Sequence, residues 1–398
     1  MILNDVDPFA REILDDPYPF YARVREASPC LFIERYSYYM VARYDDVVAA
    51  AKNHAVFSST GGVGLEWNQR PMMPMYDPPE HTRLRRLVAK YFAPRAVDVL
   101  ADRIAMFAEK ALDGLLEAGR GDLVADVAEP LALGVIADVM GVPDADRGSF
   151  RKWADNVMAD LSQGLSPEAA ARAEASRKEF IAYLKALAQE RRVRPRPGAT
   201  DVITMLVAAN QAEALTPFEV TAFCVLLLVA GFEPAVNGIA NTALAFLEHP
   251  DEARKVARNP ALLPSAIEEA LRYDTPVQAF FRNTLSDTEI SGVRVPKGSK
   301  VMIHFASANR DPQRFQDADR FRVDRNRDPD GGAVSFGAGV HYCLGAPLAR
   351  LQLNTLAPLV LRRISGAHLD GPLERASTLL FRGLRHLPVA VSRRSASF

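Results

Sequence analysis

Apolar residues recur at three- and four-residue spacing, with Ala, Leu, Glu and Arg between them, over 82–94, 97–119, 166–192 and 217–247. That period predicts amphipathic or buried helices through the middle of the chain. Inside the last of them, Ala222 to Phe232 is apolar without a break. It reads as a buried helix, short of the roughly 20 apolar residues a membrane span needs. Elsewhere the pattern shortens. Cys30-Leu31-Phe32-Ile33 and Tyr38-Tyr39-Met40-Val41 within 30–42, Ile290-Ser291-Gly292-Val293 within 290–304, and the stretch 386–392 predict short strands. The expected fold class is therefore mainly α with small β-sheets. Pro195-Arg196-Pro197-Gly198 interrupts the third helical pattern as a surface loop rather than a linker. With no fixed-period repeat and no composition boundary, 1–398 is read as one domain.

Composition narrows the function classes. Apolar residues at 48% and charged residues at 24% are ordinary for a globular chain and exclude disorder or a low-complexity scaffold. A net charge of -1 gives no global attraction to nucleic acid or to an acidic membrane surface. Met1-Ile2-Leu3-Asn4-Asp5 lacks the positive flank and apolar run of an export signal, so a cytoplasmic monomer is expected. The three cysteines, Cys30, Cys224 and Cys343, include no close pair. That spacing supports neither a disulfide framework nor a Cys-x-x-Cys site, and Cys30 and Cys224 read as inert.

Cys343 differs in its surroundings. Phe336-Gly337-Ala338-Gly339-Val340-His341-Tyr342-Cys343-Leu344-Gly345 enters through a Gly-rich turn and leads into a helix-like run from Ala346 to Leu361. Backbone N–H groups and a helix N-terminus beside a sulfur favour thiolate. Gly339 and Gly345 leave room for a flat macrocycle to approach the backbone. Taken alone, a cysteine in such a turn reads as a small buried hydrophobe; the whole stretch does not. It resembles, at every fixed position, the Phe-x-x-Gly-x-x-x-Cys-x-Gly signature of the cytochrome P-450 superfamily. A dinucleotide loop is excluded, because Tyr342 stands where its third glycine belongs.

The resemblance implies a triangular helical domain around a buried haem b, with Cys343 as the iron's thiolate ligand. It assigns Glu269 and Arg272 of Glu269-Ala270-Leu271-Arg272, with Arg325, to a buried ion cluster bracing the cysteine loop. His81, Arg85, Arg282 and His341 match the residues that bind the haem propionates, and Phe336 and Gly345 complete the cofactor set. Ala230-Gly231-Phe232-Glu233-Pro234-Ala235 aligns with the proton-delivery motif of the family's central helix. Glu233 is kept, whereas Pro234 replaces the usual alcohol, and proline has neither N–H nor hydroxyl to relay a proton. A tolerated kink and a rerouted relay through Glu233 and water both account for it.

Closer likeness extends to the substrate. Ser58 to Leu65, Val236-Asn237-Gly238-Ile239, Val277 to Arg282 and Arg382-Gly383-Leu384 are similar to bacterial members that O-demethylate methoxybenzoates, and the Glu-Pro pair to members acting on methoxyphenols. A pocket edged by Val63, Leu65, Met73, Leu226, Ala230, Phe280 and Phe381 would suit a small aromatic ring; core packing asks for the same residue types. Arg70 is the candidate cation for a benzoate. The expected function is a haem-thiolate monooxygenase O-demethylating a methoxyarene. A peroxygenase or oxidative-coupling enzyme, and a haem sensor from another class, are the alternatives. Electrons would come from a ferredoxin and its reductase, docking on a basic face of Arg83, Arg86, Arg350, Arg362 and Arg363.

Overall fold

Helix Pro217–Glu248 is the axis of the molecule. Its start is fixed by a reciprocal cap: Thr216 Oγ1 accepts from Glu219 N at 3.2 Å, and the Glu219 carboxylate accepts from Thr216 N at 2.7 Å, with Pro217 at the first helical position. From Val236 to Phe246 every residue is buried. Helices Glu129–Met140, Pro167–Val193, Leu263–Tyr273 and Ala346–Arg363 pack around it. The structure is a computed structural model and describes residues 6–66, 72–159, 167–196, 198–208, 215–325, 332–363, 366–376 and 378–391.

This axis corrects one expectation. At 32 residues, with a mean hydropathy of 1.8 over its most apolar window, it is long and apolar enough to cross a membrane, and 56% of that window is buried inside the protein. Glu233 interrupts the apolar run without ending the helix, which spans the whole 217–247 expected from the periodicity. Other boundaries also move. The pattern at 97–119 divides into Pro94–Val97, a 3₁₀ turn at Asp98–Leu100 and helix Ala101–Ala118; that at 82–94 becomes Glu80–Ala89 followed by a 3₁₀ turn at Lys90–Phe92.

The main sheet runs Cys30–Ile33, Tyr38–Val41, Lys300–His304, Ala279–Thr284, Phe57–Ser58 across its width. Only the second and third strands are parallel. Arg120–Asp122, Pro388–Ala390 and His368–Leu369 form a smaller sheet. Ala279–Thr284 escaped the sequence reading because it is enclosed on both faces and shows no alternation.

Candidate functional site

The cysteine loop is shaped by glycine and by close contact. Gly339 has φ +70°, and a Cβ there would lie 2.7 Å from the Ala51 carbonyl oxygen and 2.9 Å from Lys52 Cα. The C-terminus of helix Tyr44–Lys52 is thus pressed against this turn. Cys343 N donates to the Phe336 carbonyl at 2.9 Å, closing the loop just before helix Ala346–Arg363. Arg350 grips the outside: it donates to Glu268 at 2.6 and 3.0 Å and to Tyr342 Oη at 3.2 Å, and stacks 4.5 Å over the Phe336 ring.

The sulfur environment departs from expectation. Desolvation by the crowded surroundings pushes the Cys343 thiol up, although the Gly345 and Ala346 amides and the positive charges of Arg85 and Arg350 act the other way. The turn and helix N-terminus therefore oppose the burial cost without overcoming it in the protein alone. The residue as a whole is nonetheless exposed.

Behind the loop stands the charged cluster. Arg272 forks onto Glu269 at 2.7 and 2.9 Å, and Arg325 Nε reaches the same carboxylate at 2.9 Å. Glu269 and Arg272 are almost fully buried. The link to the cysteine loop is Asn309, which the sequence did not single out. Arg272 donates to the Asn309 carbonyl at 2.7 Å, while the Asn309 side chain accepts from Val334 N at 2.7 Å and donates to Ser335 Oγ at 3.0 Å. A lone asparagine just past the short helix Phe305–Ala308 carries no periodic signal.

Four basic groups converge nearby. The His81 and His341 rings lie 4.3 Å apart. Burial holds His81 down at about 4, helped by Arg85, and depresses His341 further, helped by Arg282, His81 and Arg85. Arg282 is buried, donates to the Phe281 carbonyl at 2.8 Å, and is pushed down to about 10 by burial. His81 Nδ1 is buried without a hydrogen-bond partner. Asp77, the acid whose charge acts on Arg282, is occupied by Ser58, by Ser59 N at 2.9 Å and by Thr60 Oγ1 at 3.2 Å. Two guanidinium groups beside two imidazoles, all buried or half-buried, with an orphaned ring nitrogen among them, fit a dianionic ligand such as two carboxylates. Ser59 Oγ, 3.1 Å from His341 Nε2, and His54, close enough to act on both histidines, belong to this cluster and were missed.

The central helix runs through Pro234 unbroken. Around it Val229, Ala230, Gly231, Glu233, Pro234 and Ala235 are partly or fully accessible, in contrast to the buried residues that follow. Burial raises the Glu233 carboxyl.

The cytochrome P450 family model matches residues 149–372. This chain belongs to the cytochrome P450 family. It is 34% identical over 395 residues to cytochrome p450 CYP199A2 of Rhodopseudomonas palustris, covering 97% of this chain and 94% of that one. A beta-dihydromenaquinone-9 omega-hydroxylase of Mycobacterium tuberculosis is 33% identical, over 100% of this chain and 80% of its own length. Among solved structures, cytochrome P450 CYP109Q5 from Chondromyces apiculatus superposes with a TM-score of 0.89 at 34% identity, covering 99% of this chain and 100% of that one. Cytochromes P450 are monooxygenases that use haem b, and the basic cluster and the cysteine loop are chemically suited to its propionates and its iron.

In this P450 the expected pocket residues are only partly brought together. The Phe280 and Phe381 rings meet edge to face at 6.5 Å and 85°; Phe381 is bridged to Val277, and Val63 accepts from Phe281 N at 2.9 Å. Leu65 packs with the N-terminal cluster, whereas Met73 and Leu226 join the main core. Met73 also lines a separate cavity with Leu84, Leu215 and Phe223. Arg70 lies outside the described residues. The basic face is largely neutralised within the chain: Arg83 pairs with Glu80 and Glu219, Arg350 with Glu268, and Arg363 with Asp113. Charge counting along the sequence could not see acids arriving from distant segments.

Proposed function

We propose that this cytochrome P450 binds haem b through the Cys343 thiolate and O-demethylates a small methoxyarene, a phenol or a benzoate, with release of formaldehyde. The observation that carries the substrate class is the edge-to-face Phe280–Phe381 pair beside the Arg282 cluster, a rigid aromatic wall that suits a flat ring. When bound, thiolate-ligated haem iron activates dioxygen with electrons that P450s typically take from a ferredoxin and its reductase.

The chain's residues supply the rest. Coordination to iron would keep the Cys343 sulfur deprotonated despite its burial, and the Phe336–Cys343 bond and the Arg350 grip fix the loop that carries it. His81, Arg85, Arg282 and His341 would hold the propionates, with the positive charge coming from the two guanidinium groups. Burial raises the Glu233 carboxyl, which would be the proton-handling group of the central helix. The aromatic wall presents the methoxy carbon, and one oxygen atom enters its C–H bond. The resulting hemiacetal breaks its methyl C–O bond to leave a phenol and formaldehyde; the second oxygen atom leaves as water with two electrons and two protons.

A spin-state titration of the ferric protein against methoxyphenols, methoxybenzoates, fatty acids and terpenes, run beside formaldehyde assays, tests the substrate class. A shift and formaldehyde with methoxyarenes alone is expected; tight binding of fatty acids or terpenes with no response to any methoxyarene overturns it. Pro234 favours a second reading, a peroxide-driven enzyme, since proline has no hydroxyl with which to relay a proton. Product yields with NADH and electron partners against hydrogen peroxide separate the two.

A further inference from the structure

Phe381 sits on a loop whose backbone is hydrogen-bonded on both sides of the ring. On its N-terminal side Gln278 takes hold: Gln278 N donates to the Leu380 carbonyl at 2.7 Å, and Gln278 Nε2 to the Leu379 and Phe381 carbonyls at 3.2 and 3.4 Å. Tyr21 Oη donates to Gln278 Oε1 at 2.8 Å and fixes that amide. On the C-terminal side, Arg382 N donates to the Pro276 carbonyl at 2.9 Å, and Asn241 Nδ2, from the central helix, donates to the Arg382 carbonyl at 2.9 Å and to the Asp274 carbonyl at 3.0 Å. The Arg382 side chain is bound to the Asp274 carboxylate and to the Leu14 and Asp15 carbonyls at 3.2 and 3.3 Å. Tyr18 Oη and Arg375 donate to that carboxylate at 2.7 and 3.0 Å.

One turn earlier on the central helix, Asn237 fills the place of a side chain at position 383. A Cβ on Gly383 would fall 1.8 Å from Asn237 Oδ1. The loop is thus seated directly on the helix that carries Glu233, with residues 382–384 buried and Phe381 half-exposed. A tie between distant segments needs only the Arg382–Asp274 contact. Anchors on both sides of one projecting aromatic ring do something more specific, because they fix where that ring stands.

We infer that Asn241, Asp274, Gln278 and Arg382 form a clamp that positions Phe381, so that these buried polar residues, which touch no substrate, set how large a ligand the site accepts. The inference rests on the reading of Phe280 and Phe381 as the substrate wall. Its logic is rigidity: a ring held in one position excludes bulky ligands and contacts small flat ones, and a released ring does neither.

The test uses the ferric holoenzyme and three iron-binding azoles, imidazole, 4-phenylimidazole and miconazole, titrated optically against wild type, Asn241→Ala, Phe381→Ala and the double variant. Phe381→Ala should change the ratio of miconazole to 4-phenylimidazole affinity, and Asn241→Ala should shift it in the same direction by at least about threefold, the low end of coupled-residue effects. In the Phe381→Ala background the Asn241→Ala shift should vanish, while imidazole affinity stays the same throughout. A shift of equal size in both backgrounds, or none in either, overturns the clamp while leaving the wall intact. An unchanged ratio in Phe381→Ala overturns the wall and the clamp with it. Should Asn241→Ala fail to hold haem, Gln278→Met provides the same comparison from the other anchor.

Discussion

Cys343 was legible as a residue because its neighbours carry a fixed pattern; the state of its sulfur was not, because desolvation depends on segments far away in the chain. The thiol is raised by burial against its amide and guanidinium neighbours, so deprotonation should follow iron binding. The reduced, carbon-monoxide-bound protein is expected to show the long-wavelength Soret band of thiolate ligation, and the spectrum of a histidine-ligated haem from folded protein would refute Cys343. Pro234 gives a second prediction at this scale. Replacing it with threonine restores a hydroxyl next to Glu233 and should raise dioxygen-driven turnover relative to peroxide-driven turnover, because only the former needs two protons delivered. If the ratio is preserved and only substrate affinity changes, Pro234 acts through helix shape alone.

Among the elements, those built on period alone were readable: the long helices, the strands within 30–42, the strand at 300–304 and the short strands near 386–392, whereas Ser291-Gly292, expected within a strand, is the turn between Thr288–Ile290 and Val293–Val295. Glu269 and Arg272 were readable only through their register with Cys343; at three-residue spacing they could equally be a surface pair worth a few tenths of a kcal/mol. The structure places them at 2.7 Å in the interior with backbone carbonyls as further partners. Removing the Glu269 carboxylate strands two guanidinium groups, so Glu269→Ala should cost about 3–5 kcal/mol in a denaturant titration of the holoenzyme. An unchanged midpoint would refute the cluster's role. Asn309 and Asp274 gave no such sign, since their partners are assembled only by tertiary contact.

His304 adds a pH dependence at the same scale. It begins the short helix Phe305–Ala308, its Nδ1 accepting from Ser307 N at 3.2 Å, and burial, reinforced by Arg25, holds it down at about 3. A base with a depressed folded pKa stabilises fully above its unfolded value of roughly 6.5 and loses that stability as pH falls toward the folded one. Stability should therefore decline from pH 6.5 to 4, with a contribution from this residue approaching about 1.4 kcal/mol per pH unit. His304→Asn, which keeps a capping acceptor without the titration, should flatten that slope; equal slopes would remove the assignment.

Across the whole molecule, charge was the least legible property. Arg363 is tied to Asp113 and Arg350 to Glu268 by pairs spanning 250 and 82 residues, so the basic face expected from the sequence is much reduced. Ferredoxin-driven reduction should slow as salt rises, and Arg362→Glu should slow it more than Arg363→Glu, whose wild-type charge is already balanced. Equal losses from the two reversals would show that the pairing does not matter.

Gly339 shows what such long-range packing does to mutability. Its left-handed backbone and its seat against Ala51 and Lys52 reject a side chain for two separate reasons, one local and one from a helix almost 290 positions away along the chain. Gly119 and Gly292 share the backbone hand but face open space. A saturation library should therefore return several residues, asparagine foremost, at 119 and 292 and glycine alone at 339. Compensating changes that widen the choice at 339 should then appear in helix Tyr44–Lys52 rather than near the cysteine.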